Sequence, residues 1–165
     1  MPPKSRRESL PAGPLVIRGR PPRSVVVALL QSQGLPVSDI TDEHLESFFF
    51  AGSDSSPTGL VGLEVHGADA LLRSLVVAEA ARGKGLGSVL VGHAEQYAAS
   101  NGVRSLYLLT TTAEAFFERL GYERVDRSRA PPSIKGTHEF AGLCPASSAF
   151  MLKALQLPSD TPGDL

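Results

Sequence analysis

The chain of 165 residues has a single cysteine, Cys144. No internal disulfide can form, so a cross-linked secreted scaffold is excluded. Long apolar runs are missing too. The longest, Val25 to Leu30, falls far short of the ~20 residues a membrane-spanning helix needs. An excess of either charge is lacking. The formal net charge is −1, against the basic surface that broad nucleic-acid binding requires. The basic N-terminal stretch "MPPKSRRESLPAGP" has no apolar segment behind it and does not read as a secretory signal. A cytoplasmic protein acting without nucleic acid or membrane is expected.

What is present suits one globular domain: 42% apolar and 20% charged residues in a length able to bury a core. Residues 1–13 and 157–165 are rich in proline and polar groups and are expected to be disordered. The folded domain is then 14–156. "PLVIRG" reads as a strand. "PPRSVVVALLQSQG" reads as a helix, stopped by Gly34 and Pro36. A strand is expected around Leu45 to Ala51, and a hairpin around the turn "HGAD". Leu86, Val89, Leu90, His93, Ala94, Tyr97 and Ala98 recur at helical spacing. "VRSLYLLTTT" reads as a buried strand and "TTAEAFFERLG" as a helix. There Thr111 and Glu114 match a capping box, and Gly121 supplies the C-terminal cap. "YERVDR" reads as a strand, 128–143 as irregular or part-helical, and "SSAFMLKAL" as a last strand. This order implies a mixed sheet with helices on its faces.

The stretch "ARGKGLGSVL" carries the chemistry. Glycines let backbone amides approach a ligand closely, and the loop opens a helix whose first N–H groups lack partners. Arg82, Lys84 and Ser88 add charge and a hydroxyl, so a phosphate or pyrophosphate is the natural ligand. A Walker A loop fails, because Lys84 is followed by Gly85. A dinucleotide fingerprint fails on spacing and on position in the chain. A tight turn without ligand is the remaining alternative.

"LVVAEAARGKGLGSVLV" resembles the core motif of the GNAT (Gcn5-related) acetyltransferases. Val77 fills the strand end, and Arg82, Gly85 and Gly87 fill the fixed loop positions. The later "AFFERLGY" resembles that family's second signature. "LYLLTTTAEAFFERLGY" and "LCPASSAFM" are similar to the branch found in bacterial arsenic-resistance operons. The resemblance implies an α/β (α+β) fold: a mixed, mostly antiparallel sheet of about seven strands, with a splayed central strand pair. It implies acetyl-CoA as donor, a small-molecule primary amine as acceptor, and a monomer or homodimer. The cofactor set it implies is Leu75, Val76, Val77, Arg82, Gly83, Lys84, Gly85, Leu86, Gly87, Ser88, Thr110, Thr111, Thr112, Phe116 and Phe117. The Val77 N–H would polarise the thioester carbonyl.

The attacking amine must be neutral, whereas a free alkyl amine has a pKa near ~10. Glu64, which interrupts an apolar strand, is the candidate base. Arg73 and Ser74 are candidate acceptor contacts, and an Arg73–Glu64 ion pair is the structural alternative. Where many family members carry a tyrosine that protonates the leaving thiolate, this chain has Phe117. Tyr107 or a threonine is the substitute considered. Cys144 reads as a small buried hydrophobe, with an acyl-accepting thiol as alternative. His93 reads as a packed core residue, and no metal is expected. Phe48 to Phe50 reads as sheet core with one face open to a partner. Peptide acetylation and a non-catalytic CoA sensor are the competing functions. A cover over the cleft from 128–143 favours the small acceptor.

Overall fold

The computed structural model describes residues 16–35, 37–143 and 147–156. The terminal segments, Pro36 and Cys144, each assigned a part above, lie outside the described residues. The chain runs β1 (Ile17–Gly19), α1 (Arg23–Ser32), α2 (Asp42–Leu45), β2 (Phe48–Gly52), β3 (Pro57–His66) and β4 (Asp69–Val77). It continues through α3 (Leu86–Ser100), β5 (Ser105–Thr110), α4 (Glu114–Arg119), β6 (Glu123–Arg124), α5 (Pro132–Lys135) and β7 (Ala149–Ala154). The strands form one seven-stranded sheet in the order β1-β2-β3-β4-β5-β7-β6. Every adjacent pair is antiparallel except β4 and β5. The expected mixed, mostly antiparallel sheet flanked by helices is the one found.

Alternation along the strands assigns the layers. Phe49 and Ala51 face α3 and join Val61, Leu72, Leu90, Leu106, Leu108 and Phe117 in one core. Phe48 and Phe50 face α1 and pack with Val26, Leu30, Leu60 and Val76. A third cluster, Leu71, Tyr107, Ala130, Ile134 and Phe150, lies under α5. All three phenylalanines are thus buried, and the open partner face expected for them is not there. Gly62 explains how Phe48 fits: a Cβ there would lie 2.4 Å from the Phe48 ring.

Two local expectations are corrected. The Thr111–Glu114 capping box does not form, and the N-cap of α4 is Ala113 with no side-chain cap. Thr110 serves instead, its Oγ1 accepting from the Ala113 N–H at 3.0 Å. The strand expected in "YERVDR" shrinks to Glu123–Arg124, paired only with β7. Gly121 does take the left-handed conformation a C-terminal cap needs, at φ 99°.

Candidate active site

The site begins with a register fault in the sheet. Leu60 pairs with Val76, but Gly62 pairs with Arg73, so β4 carries one extra residue against β3. The bulge falls at Ser74, a non-glycine residue held at φ 61°. Such a conformation costs about 1–3 kcal/mol and persists only where its surroundings impose it. The strand bends there. Pairing of β4 with β5 covers only Asp69–Leu71 against Ser105–Tyr107. Beyond it the two strands diverge while β5 stays paired with β7 through Thr110.

The gap is a cleft of about 500 Å³. Leu72 to Leu75 form one wall and Leu108 to Ala113 with Phe117 the other. Gly34 and Leu35, from the loop after α1, close one side, and Glu139 and Ser148 another. The backbone of β4 offers polar groups to this gap. The Ala78 N–H donates to Thr58 O at 2.8 Å, which makes the adjacent Gly59–Val77 pair one whose peptide groups point away from β3. The Val77 carbonyl accepts from Arg82 Nε at 3.0 Å, and its N–H is turned toward the gap.

The glycine loop follows after a short 3-10 turn at Glu79–Ala81. Gly83 and Gly85 both adopt φ 81°, and Gly85 is the N-cap of α3 with no side-chain cap. The N–H groups of Leu86, Gly87 and Ser88 open the helix without helical acceptors. Lys84 and Ser88 are exposed beside them. Gly87 brings this turn against the other wall, its Cα edge within reach of Phe116 and Val77. The Arg82 guanidinium is committed elsewhere: besides Val77 it donates to Gln33 Oε1 at 2.6 Å, tying the loop to the end of α1.

Behind the bulge lies a buried ionic cluster. Arg73, its side chain fully buried, donates to Asp39 through both terminal nitrogens and to Glu64 Oε2 at 2.7 Å. Its Nη2 is also 3.2 Å from Glu139 Oε2, and its Nε donates to Ser74 Oγ at 3.0 Å. Burial pushes the Asp39 carboxyl up, but the hydrogen bonds and charge of Arg73 outweigh that and hold it below its usual range. Burial disfavours the Arg73 cation, yet its carboxylate partners raise its pKa above the ordinary value.

The sequence-based candidates divide accordingly. Arg73, Ser74, Leu75, Thr110, Thr111, Thr112 and Phe117 line the cleft, and Val77 ends β4 two residues beyond Leu75. Glu64 does not. It pairs with Arg73 and lines a second groove with His44 and His66, its Oε1 3.8 Å from His66 Nε2. Tyr107 is buried, stacked on Phe150, and absent from the cleft wall. Burial and the Asp69 charge push its phenol up, at the end of the sheet where β4 and β5 remain paired. His93 packs its ring 4.8 Å from that of Phe49, as a core residue should. Among the described residues no cluster has the makings of a metal site. Asp39, Glu139 and Ser148 were not singled out by sequence. They carry no motif, and their signal is only that each is a buried polar group.

The chain and its fold have counterparts among known proteins. The model of the acetyltransferase (GNAT) family matches residues 23–122. The chain belongs to the GNAT acetyltransferase family. An uncharacterised N-acetyltransferase, CT2212, of Chlorobaculum tepidum is 33% identical over 93 residues, 56% of this chain and 59% of that protein. The match thus spans a little over half of the curated relative. Among solved structures, N-acetylglutamate synthase from Neisseria gonorrhoeae, complexed with coenzyme A and N-acetyl-glutamate, superposes with a TM-score of 0.75 at 18% identity. That similarity covers 88% of this chain and 36% of the synthase. Rv2747 from Mycobacterium tuberculosis, in complex with CoA, gives 0.68 at 22% identity over 86% of this chain and 99% of its own. No helix among the described residues is long and apolar enough to cross a membrane.

Proposed function

We propose that this GNAT domain is an acetyl-CoA-dependent N-acetyltransferase whose acceptor is a primary amine on a small, amino-acid-like molecule. One observation carries the reading: the edge of β4 left unpaired by β5 leads through one short turn to the Gly83–Gly85 loop, beside a cleft open to a second ligand.

The residues fit the donor. The first amides of α3, with Lys84 and Ser88, present donors and positive charge suited to a pyrophosphate. The exposed edge at Leu75 and Val77 suits an extended amide-bearing arm laid along it as an added strand, with Val76 between them. Thr110 to Thr112, Phe116 and Phe117 bound the other side of that path. Bound acetyl-CoA supplies an acetyl thioester to this gap. The Val77 N–H then serves as a fixed donor for developing negative charge, a device worth about 2.7–4 kcal/mol where one such donor has been removed. Phe117 holds no proton, and Tyr107 is turned to the wrong end of the sheet. The thiolate therefore departs without a tyrosine acid. Glu64 sits behind Arg73, so its part is to fix that guanidinium, and Glu139 is the carboxylate on the cleft wall among the described residues. Arg73 and Ser74 stand on the acceptor side, where they suit an anionic group of the acceptor. N-acetyl-glutamate in the synthase complex supports an acceptor of this size, and the resemblance of "LYLLTTTAEAFFERLGY" and "LCPASSAFM" to the arsenic-resistance branch is what favours an arsenic-related toxin.

The test is thiol release from acetyl-CoA with a panel of amino acids, an arsenic-bearing amino-acid analogue, simple amines and peptides. Turnover with a small amine is expected. Turnover only with peptides would replace the acceptor class. Coenzyme A binding without any turnover would reduce the protein to a sensor, the reading that Phe117 favours.

A further inference from the structure

The Arg73 guanidinium is surrounded by partners inside the protein. A guanidinium has five N–H groups. Nε donates to Ser74, Nη1 to Asp39 and Glu64, and Nη2 to Asp39, while Glu139 stands in ion-pair contact with Nη2. An anionic acceptor cannot reach Arg73 unless one of these partners yields. Three of them are built in: Ser74 is the adjacent residue, Glu64 lies on the neighbouring strand β3, and Asp39 engages both terminal nitrogens. Glu139 differs. Its contact is the longest, at 3.2 Å, and it lines the cleft itself. It opens a π-helical turn, Glu139–Leu143, in the connection between α5 and β7. Single π turns recur at functional sites.

A second observation marks the same wall as incomplete. Ser148 is 4% exposed and lines the cleft, yet its hydroxyl has no hydrogen-bond partner among the described residues. A buried hydroxyl without a protein partner is uncommon and is available to a polar group in the cleft. Both residues lie outside residues 23–122, the part that matches the family model.

We propose that Glu139 is an internal stand-in for an anionic group of the acceptor, occupying Arg73 on the cleft wall until a substrate carboxylate or a like-shaped anion replaces it. Ser148 is the second contact for that anion. The inference rests on the acetyltransferase reading and narrows its acceptor to amines that also bear a negative group. Glu139 is a positioning residue: it sets how easily Arg73 can be reached and takes no part in acyl transfer.

The test uses the full chain and three probes: L-glutamate, its carboxylate-free counterpart glutamine amide, and glutarate, which has no amine. Glu139→Gln removes the competing charge with little change of shape. The KM for glutamate is expected to fall about five-fold or more, the scale of one charged hydrogen bond, while that for glutamine amide stays level. Glutarate binding, read by calorimetry, tightens to match. Ser148→Ala weakens glutarate about three-fold or more with the same contrast. If Glu139→Gln weakens glutamate, or shifts both amines alike, Glu139 is a substrate contact or a structural prop and the proposal falls. An unchanged glutarate affinity in Ser148→Ala removes Ser148 from the site. A protein that binds coenzyme A but acetylates nothing defeats the acetyltransferase reading alone, because the glutarate arm still reports on Arg73.

Discussion

Replacing Arg73 with methionine tests whether the buried cluster depends on its single cation. Arg73, Asp39, Glu64 and Glu139 are each less than a tenth exposed. Methionine keeps the length of the stem and removes the charge. Three carboxylates are then left in one buried site, and breaking a buried pair in this way costs about 3–5 kcal/mol. For a chain of this size each kcal/mol lowers Tm by about 2–4 °C, so the fall at pH 7 is roughly 6–20 °C. The pH dependence should also change sign. In the native protein Asp39 has a folded pKa below its unfolded value, so its stabilisation is present above about pH 4 and is lost as pH falls through the folded pKa. In Arg73→Met the carboxylates face one another without a cation, which raises their folded pKa values. Their penalty is then greatest at neutral pH and shrinks as pH falls toward about 4. Thermal melts of both proteins between pH 8 and 4 measure this directly. A deficit under about 2 °C at pH 7, or one that does not vary with pH, would show that the cluster is not held by Arg73.

Two further predictions concern glycines. Gly85→Ala meets no atom within 4 Å, so its cost is the left-handed backbone at φ 81° alone, about 1–2 kcal/mol. Coenzyme A affinity measured by calorimetry should drop roughly 5–30-fold, and native affinity would refute a loop that must hold this shape to bind. Gly62→Ala drives a methyl group into the Phe48 ring, 2.4 Å away, and should cost about 1–3 kcal/mol in urea unfolding. Gly92→Ala, in the middle of α3 with open space around it, should instead gain about 0.5–1 kcal/mol. A reversed order of the two would contradict the packing described.

Much of the architecture was legible in the chain because it is written locally. Periodicity placed α1 and α3, the turn at Gly67 placed the β3–β4 hairpin, and the tight glycine spacing marked the helix start at Leu86. The failures were also local in kind. The capping box at Thr111 lost to Thr110, whose hydroxyl is one residue nearer the end of β5. "YERVDR" alternates like a strand, but β7 pairs with only two of its residues before the chain turns away.

By itself the sequence determined which segments become helix or strand and which loop gathers unpartnered amides, because hydrophobic spacing and glycine's permitted φ act over a few residues. It did not determine which polar groups share the cleft wall. The Arg73–Glu64 pair within one hairpin was offered by the sequence, but Asp39 and Glu139 reach the same guanidinium from distant parts of the chain, and Tyr107 falls at the end of the sheet where β4 and β5 stay paired. Those outcomes follow from sheet register, the bulge at Ser74 and the path of 128–148, which only long-range packing fixes.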